Sequence, residues 1–104
     1  MPDMIAERTL ELTLPSGTQE SIRVRVWPPQ YRPRPSAPFW EADVEVAGAG
    51  KAHKTQGVGI DAFQALYSAL FLIPAMLAIY EDDGRLSWLD EPWLGFPEFK
   101  LTAP

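Results

Sequence analysis

The chain opens on a period of two. In RTLELTL (residues 8–14), Leu10, Leu12 and Leu14 alternate with Thr9, Glu11 and Thr13. Alternation of this kind puts the leucines on one side of an extended segment and predicts a half-buried strand. PSGT (15–18) follows as a turn. SIRVRVW (21–27) alternates again, with Ile22, Val24 and Val26 inward and Arg23, Arg25 and Trp27 outward. In WEADVEV (40–46) the inward set is Trp40, Ala42, Val44 and Val46, and the outward set is Glu41, Asp43 and Glu45. After the turn AGAG, residues 51–58 form a weaker fourth strand, whose glycines point to a bulge or a close backbone approach. Between the second and third strands lies PPQYRPRPSAP (28–38). Proline has no amide to give a ladder, so this stretch is expected to stay out of the sheet.

The period then lengthens. Asp61 with Gln64 three residues on is a variant capping box, and a helix is predicted over 62–81, with Gly84 as its left-handed stop. Pro74 inside it removes one hydrogen bond and is expected to kink it. Spacing of 3.6 gives a core stripe of Phe63, Leu66, Leu70, Ile73, Leu77 and Tyr80. A second stripe, Ala62, Ala65, Ala69, Leu72, Met76 and Ile79, starts small enough for close approach to the sheet. The third strip, Gln64, Ser68, Phe71, Ala75 and Ala78, is where water would normally be, and it is only mildly polar. The length just suits a membrane span, but the alanines, the internal proline and the preceding amphipathic strands argue against one.

Together these segments predict a single α+β domain, a four- or five-stranded antiparallel meander with one long kinked helix packed on one face. Strand order 1-2-3-4 sets Arg23 and Arg25 between Glu11 on one side and Glu41, Asp43 and Glu45 on the other, and such cross-strand pairs add about 0.2–1 kcal/mol each. RLSWL (85–89) is a candidate fifth strand. The aromatic tail, residues 85–104, offers Trp88, Trp93, Phe96 and Phe99 to wrap one flank of the helix. A helix apolar nearly all round must be covered on a second side. The tail supplies part of that cover, and a second copy of the chain the rest.

Charge and chemistry narrow the function by exclusion. Residues 1–60 hold seven Lys/Arg and seven Asp/Glu, whereas residues 61–104 hold two and seven, which is the whole net charge of −5. An acidic C-terminal third does not suit nucleic acid or an anionic membrane; it suits a basic protein partner. The chain has no cysteine, so disulfides, thiolate metal sites and a cysteine nucleophile are out, in keeping with a cytoplasmic protein. His53 is the single histidine, and no nucleophile elbow, phosphate loop or dinucleotide fingerprint is present. No cofactor is implied. The acids of EDDG (81–84) oppose the helix dipole, a local conflict of the kind that sometimes marks function. PPQY and RPRPSAP have the forms of two polyproline docking motifs, and a stiff strand connection explains them as well.

The element order, with GVGIDAFQALYSAL leading into the helix and GRLSW after it, resembles a family of short bacterial proteins known only as a domain of unknown function. The likeness covers most of residues 7–90, and its recognisable element is Asp61-x-x-Gln64-Ala65-Leu66-x-x-Ala69-Leu70. The resemblance implies no activity and no catalytic residues. The expected function is therefore a non-catalytic protein-interaction module, accessory or immunity-like, and a homodimer. Its candidate partner surface is Phe71, Leu72, Met76, Ile79, Trp88, Trp93, Glu81, Asp82 and Asp83. The alternative is a small-molecule or enzymatic pocket between the helix and the tail.

Overall fold

In a computed structural model, which describes residues 3–33, 35 and 39–97, the chain is a six-stranded antiparallel sheet with one helix against it. In chain order the elements are β1 (Ala6–Thr13), β2 (Gln19–Val26), β3 (Gln30–Arg32), β4 (Phe39–Gly48), β5 (Lys51–Gly59), α1 (Ala62–Glu81) and β6 (Arg85–Ser87). The fold is α+β, as the two periods predict. β1, β2, β4 and β5 pair in sequence as a meander. β6 extends the sheet beside β1, with Leu12 opposite Leu86.

Every residue that alternation turned inward is on the core side. Leu10, Leu12, Ile22, Val24, Val26, Ala42, Val44 and Val46 are at most 4% exposed, while Leu14 and Trp40 are half-buried against them. The opposite side carries the ion pairs. Arg25 reaches Glu7 at 2.6 Å and Glu45 at 3.6 Å, across both of its neighbouring strands. Glu11 instead faces Ser21, and Arg23 faces Thr9 and Ala47, so those two expected partners are not cross-strand neighbours.

The proline-rich stretch departs from expectation. Gln30, Tyr31 and Arg32 do pair, with Glu41, Trp40 and Phe39. Pro28, Pro29 and Pro33 flank this triplet without interrupting it, so three amides remain for a short ladder. β3 occupies the edge of β4 that β2 leaves free, and its Arg32 meets Asp43 through two parallel contacts of 3.0 Å. It also lies 3.7 Å from Glu41. The Arg32 fork holds the Asp43 carboxyl below its ordinary range, by hydrogen bonding first and by charge second. RPRPSAP, as a docking motif, falls largely outside the described residues.

Asp61 caps α1, its carboxylate accepting from the Gln64 amide at 2.7 Å, and the Gln64 side chain accepts from the Ile60 amide at 2.7 Å. The buried side of the helix is Ala65, Ala69, Ile73, Leu77 and Tyr80. This corrects the expected stripe at its start, because Phe63 is 80% exposed. The reason lies in the strand beneath. A Cβ on Gly57 would stand 2.1 Å from the Ala69 nitrogen, and one on Gly59 2.5 Å from the Ala65 nitrogen. The backbones touch there, and only the alanine stripe leaves room. At the other end Tyr80 is fully buried, and its hydroxyl lies 3.1 Å from the carbonyls of Gly48 and Lys51 in the β4–β5 hairpin. Burial raises the Tyr80 pKa above the ordinary phenol value. Gly84 is not a left-handed stop either. It is needed because a Cβ would strike the Thr13 carbonyl at 2.3 Å, where the chain turns in to become β6.

Candidate functional site

After β6 the chain reverses within four residues. Trp88 and Glu91 exchange both backbone hydrogen bonds at 2.9 Å. The two residues between them, Leu89 (φ 52°) and Asp90 (φ 64°), are both left-handed, which a type I′ hairpin turn requires and which Asn-Gly normally supplies. Aspartate tolerates that region, but a leucine there costs about 1–2 kcal/mol. The strained leucine is 76% exposed, and Trp93, whose ring centroid is 6.2 Å from that of Trp88, is 71% exposed. Asp90 and Glu91 are exposed beside them. Two large apolar side chains and two carboxylates thus stand together on one tight turn.

The turn is held from below by Arg8. Alternation along β1 places Arg8 on the same side as Leu10 and Leu12. There its guanidinium lies 3.8 Å from the centre of the Trp88 ring and 4.8 Å from that of Phe96. It donates to the carbonyls of Leu94 (2.9 Å) and Gly95 (3.1 Å). Leu94 and Phe96 pack on the core from this position. The tail therefore does wrap the helix flank. Trp88, Leu94 and Phe96 make the wrap, Trp93 points out, and Phe99 lies outside the described residues.

The remaining predicted partner residues are dispersed around the helix. Phe71, Leu72, Met76 and Ile79 are all half-buried, and Met76 and Ile79 pack on the core. Glu81 and Asp82 are exposed at the helix end, while Asp83 pairs with Lys51 at 2.5 Å and raises that lysine's pKa. One acid of the EDDG run is thus matched to a cation. His53 is exposed on β5, opposite Val46. Among the described residues no group of three His, Cys, Asp or Glu side chains is arranged to hold a metal ion.

Two cavities lie between helix and tail. One, about 160 Å³, is lined by residues that include Pro74, Leu77, Glu81, Trp93 and Phe96. The other, about 230 Å³, is lined by residues that include Arg8, Val24, Leu70, Ile73 and Pro97. Sequence reasoning missed Arg8 and Leu89. The first was readable from the period, since residue 8 shares its parity with Leu10, Leu12 and Leu14. The second carried no signal, because Leu-Asp does not announce a left-handed turn.

No curated protein and no solved structure is significantly similar to the chain. One family does match, over residues 6–98, a span that runs beyond the expected 7–90 and takes in the segment that Arg8 holds. This chain belongs to that family, a domain of unknown function, DUF6968.

Proposed function

We propose that this protein is a non-catalytic interaction module. Its docking patch is the turn at residues 88–91 with Trp93, and it takes a partner surface that is basic and carries an apolar recess. One observation carries the reading: Leu89 is held in a left-handed conformation and left 76% exposed. Strain at an exposed apolar residue has no benefit to folding, and strained backbone concentrates at sites of function. Tryptophan is among the side chains that dominate binding energy at interfaces, and the surrounding acids favour a cationic partner. The helix–tail cavities, at about 160 and 230 Å³, fall short of the roughly 300 Å³ at which small-molecule pockets begin. That weighs against the alternative of a metabolite site.

The test is a replacement that relaxes the turn while removing its display. Leu89→Asn with Asp90→Gly supplies the residues a type I′ turn favours. The variant should melt higher than the parent, and in pull-downs from the source cell it should lose the partners the parent retains. A variant that is more stable and keeps every partner refutes the reading.

The same reading includes a homodimer through the half-buried helix residues Phe71, Leu72, Met76 and Ile79. Its support is that only 22% of the residues in an apolar 18-residue window of α1 are buried within one chain. Light scattering after gel filtration tests it, and a mass near 11.6 kDa at micromolar concentration would rule the dimer out.

A further inference from the structure

The sheet has one long free edge. Its outer strands β3 and β6 are three residues each, whereas β5 runs for nine. β5 pairs with β4 along its whole length without a bulge, and among the described residues nothing pairs with its other side. The groups on that side follow from the ladder. Trp27 donates its amide to the Asp43 carbonyl at 3.0 Å, so Asp43 faces the β2 side of β4. In an antiparallel strand the N–H and C=O of one residue point the same way, and the direction alternates along the chain. Ala42, Val44 and Val46 therefore face β5 and bond Gly57, Thr55 and His53, their partners in register. Ala52, Lys54, Gln56 and Val58 are left with amides and carbonyls pointing away from the sheet, and all four residues are exposed. Ser68 of α1 agrees, since its hydroxyl donates to the Val58 carbonyl at 3.1 Å.

The usual guards are missing from this edge. Native edges are blunted by short length, proline, bulges or outward lysines. β5 holds no proline. Its Lys51 is drawn to Asp83, and its Lys54 lies over the Trp27 ring, 5.3 Å from the centre. The helix adds an apolar wall. At about 100° per residue, Leu72 and Ile79 lie within about 40° of Ser68 around the helix axis. The side of α1 anchored on Val58 thus carries two of the half-buried residues assigned to the homodimer. We propose that a second copy of the chain docks here through its own β5, antiparallel about a two-fold axis at Thr55, so that one sheet runs through both copies. That register pairs Ala52 with Val58 and Lys54 with Gln56, uses all four outward residues on each copy, and sets no like charges directly opposite. A two-fold at Lys54 would set lysine against lysine, which is destabilising, and one at Gln56 would place Ala52 opposite Ile60, beyond the end of β5. The inference rests on the homodimer reading and gives that dimer its backbone contact.

Two measurements on the full chain decide it. Light scattering gives the mass, and amide exchange followed by NMR is read above and below the dissociation constant. The expected result is a dimer in which the Lys54 and Gln56 amides are protected, and a monomer on dilution in which they exchange freely. A dimer in which those amides exchange freely overturns the edge contact and leaves a dimer through the helix alone. A chain that is monomeric at micromolar concentration overturns both, and protection of those amides in such a monomer assigns the edge to the chain's own residues. Gln56→Pro removes an amide that serves the second copy and none that serves β4, so it should abolish the dimer while keeping the far-UV circular dichroism of the parent. Gln56→Lys keeps the amide and sets two lysine pairs across the axis. The dissociation constant should then rise roughly 2–30-fold, and by less in high salt. If either folded variant keeps the parent's dissociation constant, the proposal falls.

Discussion

Gly57→Ala isolates the contact that orients the helix. The added Cβ would stand 2.1 Å from the Ala69 nitrogen, 2.5 Å from the Ala65 oxygen and 2.6 Å from the Ala69 Cα. Ordinary contact begins at 3.4 Å, so the helix backbone must retreat by the difference between 3.4 and 2.1, roughly 1.3 Å. No side-chain rotation relieves it, because all three atoms are backbone or fixed to it. A gap of 0.5–1 Å already forfeits about a quarter to a half of a dispersion contact. Ala65, Ala69 and Ile73, each fully buried, would lose part of their packing. Overpacking costs about 1–3 kcal/mol, and a rigid obstacle puts this site at about 3. With about 4–8 °C of Tm for each kcal/mol in a domain of this size, the expected fall is roughly 12–24 °C by circular dichroism. Gly50→Ala is the control. Its φ is +77° but nothing lies within 4 Å, so only the left-handed backbone is penalised, by about 1 kcal/mol. A Gly57→Ala protein that melts within about 5 °C of the parent, or no lower than Gly50→Ala, would show that the helix is not seated on that strand.

Tyr80→Phe keeps the buried ring but removes the hydroxyl that reaches Gly48 and Lys51; a loss of about 1–2 kcal/mol in urea unfolding is expected, with accelerated amide exchange in the β4–β5 turn. Arg8→Lys retains the charge but not the planar fork stacked on Trp88 and Phe96, and limited proteolysis should then cut within residues 92–97 while the sheet stays intact. Asp43→Asn tests the acid limb of stability. The Asp43 carboxyl is depressed by Arg32, so its contribution is complete above the ordinary carboxylate value and disappears as pH falls through the lower folded value. The pair is partly exposed, so the parent should exceed the variant by under about 1 kcal/mol at pH 7, and the two should converge once the Asp43 carboxyl is protonated in the folded protein; a difference that persists after that protonation contradicts the assignment.

The strands were legible because a period of two has only two outcomes, and each of β1, β2 and β4 has apolar residues on one side and polar residues on the other. The helix was legible in extent but not in orientation. Its three strips are all apolar enough to be buried, so periodicity could not choose among them. The choice is made by shape: Gly57 and Gly59 form a shallow floor that fits Ala65 and Ala69 and leaves Phe63 outside. Both halves of that match are in the sequence, two glycines two apart on a strand and two alanines four apart on the next helix. They become informative only when read as a pair. The ladder at Gln30, Tyr31 and Arg32 was hidden because counting prolines over a stretch obscures three consecutive residues that keep their amides. Of the residues expected in the partner surface, Trp93, Glu81 and Asp82 are exposed. The sequence could not show Leu89, whose left-handed conformation goes with the Trp88–Glu91 backbone pair and not with any turn residue in the sequence.

Arg8 and the carbonyls it holds are 86 and 87 residues apart in a chain of 104. During synthesis, at about 5–20 residues per second, β1 and β2 emerge and pair many seconds before Leu94 leaves the ribosome. Over that interval the inner side of β1 has no cover, and Arg8 holds a charge at the edge of what would otherwise be an exposed leucine ladder. An inward-pointing charge is one of the devices that discourage edge-to-edge strand pairing, and Arg8 supplies one on β1 before the carbonyls of Leu94 and Gly95 that it holds have been made.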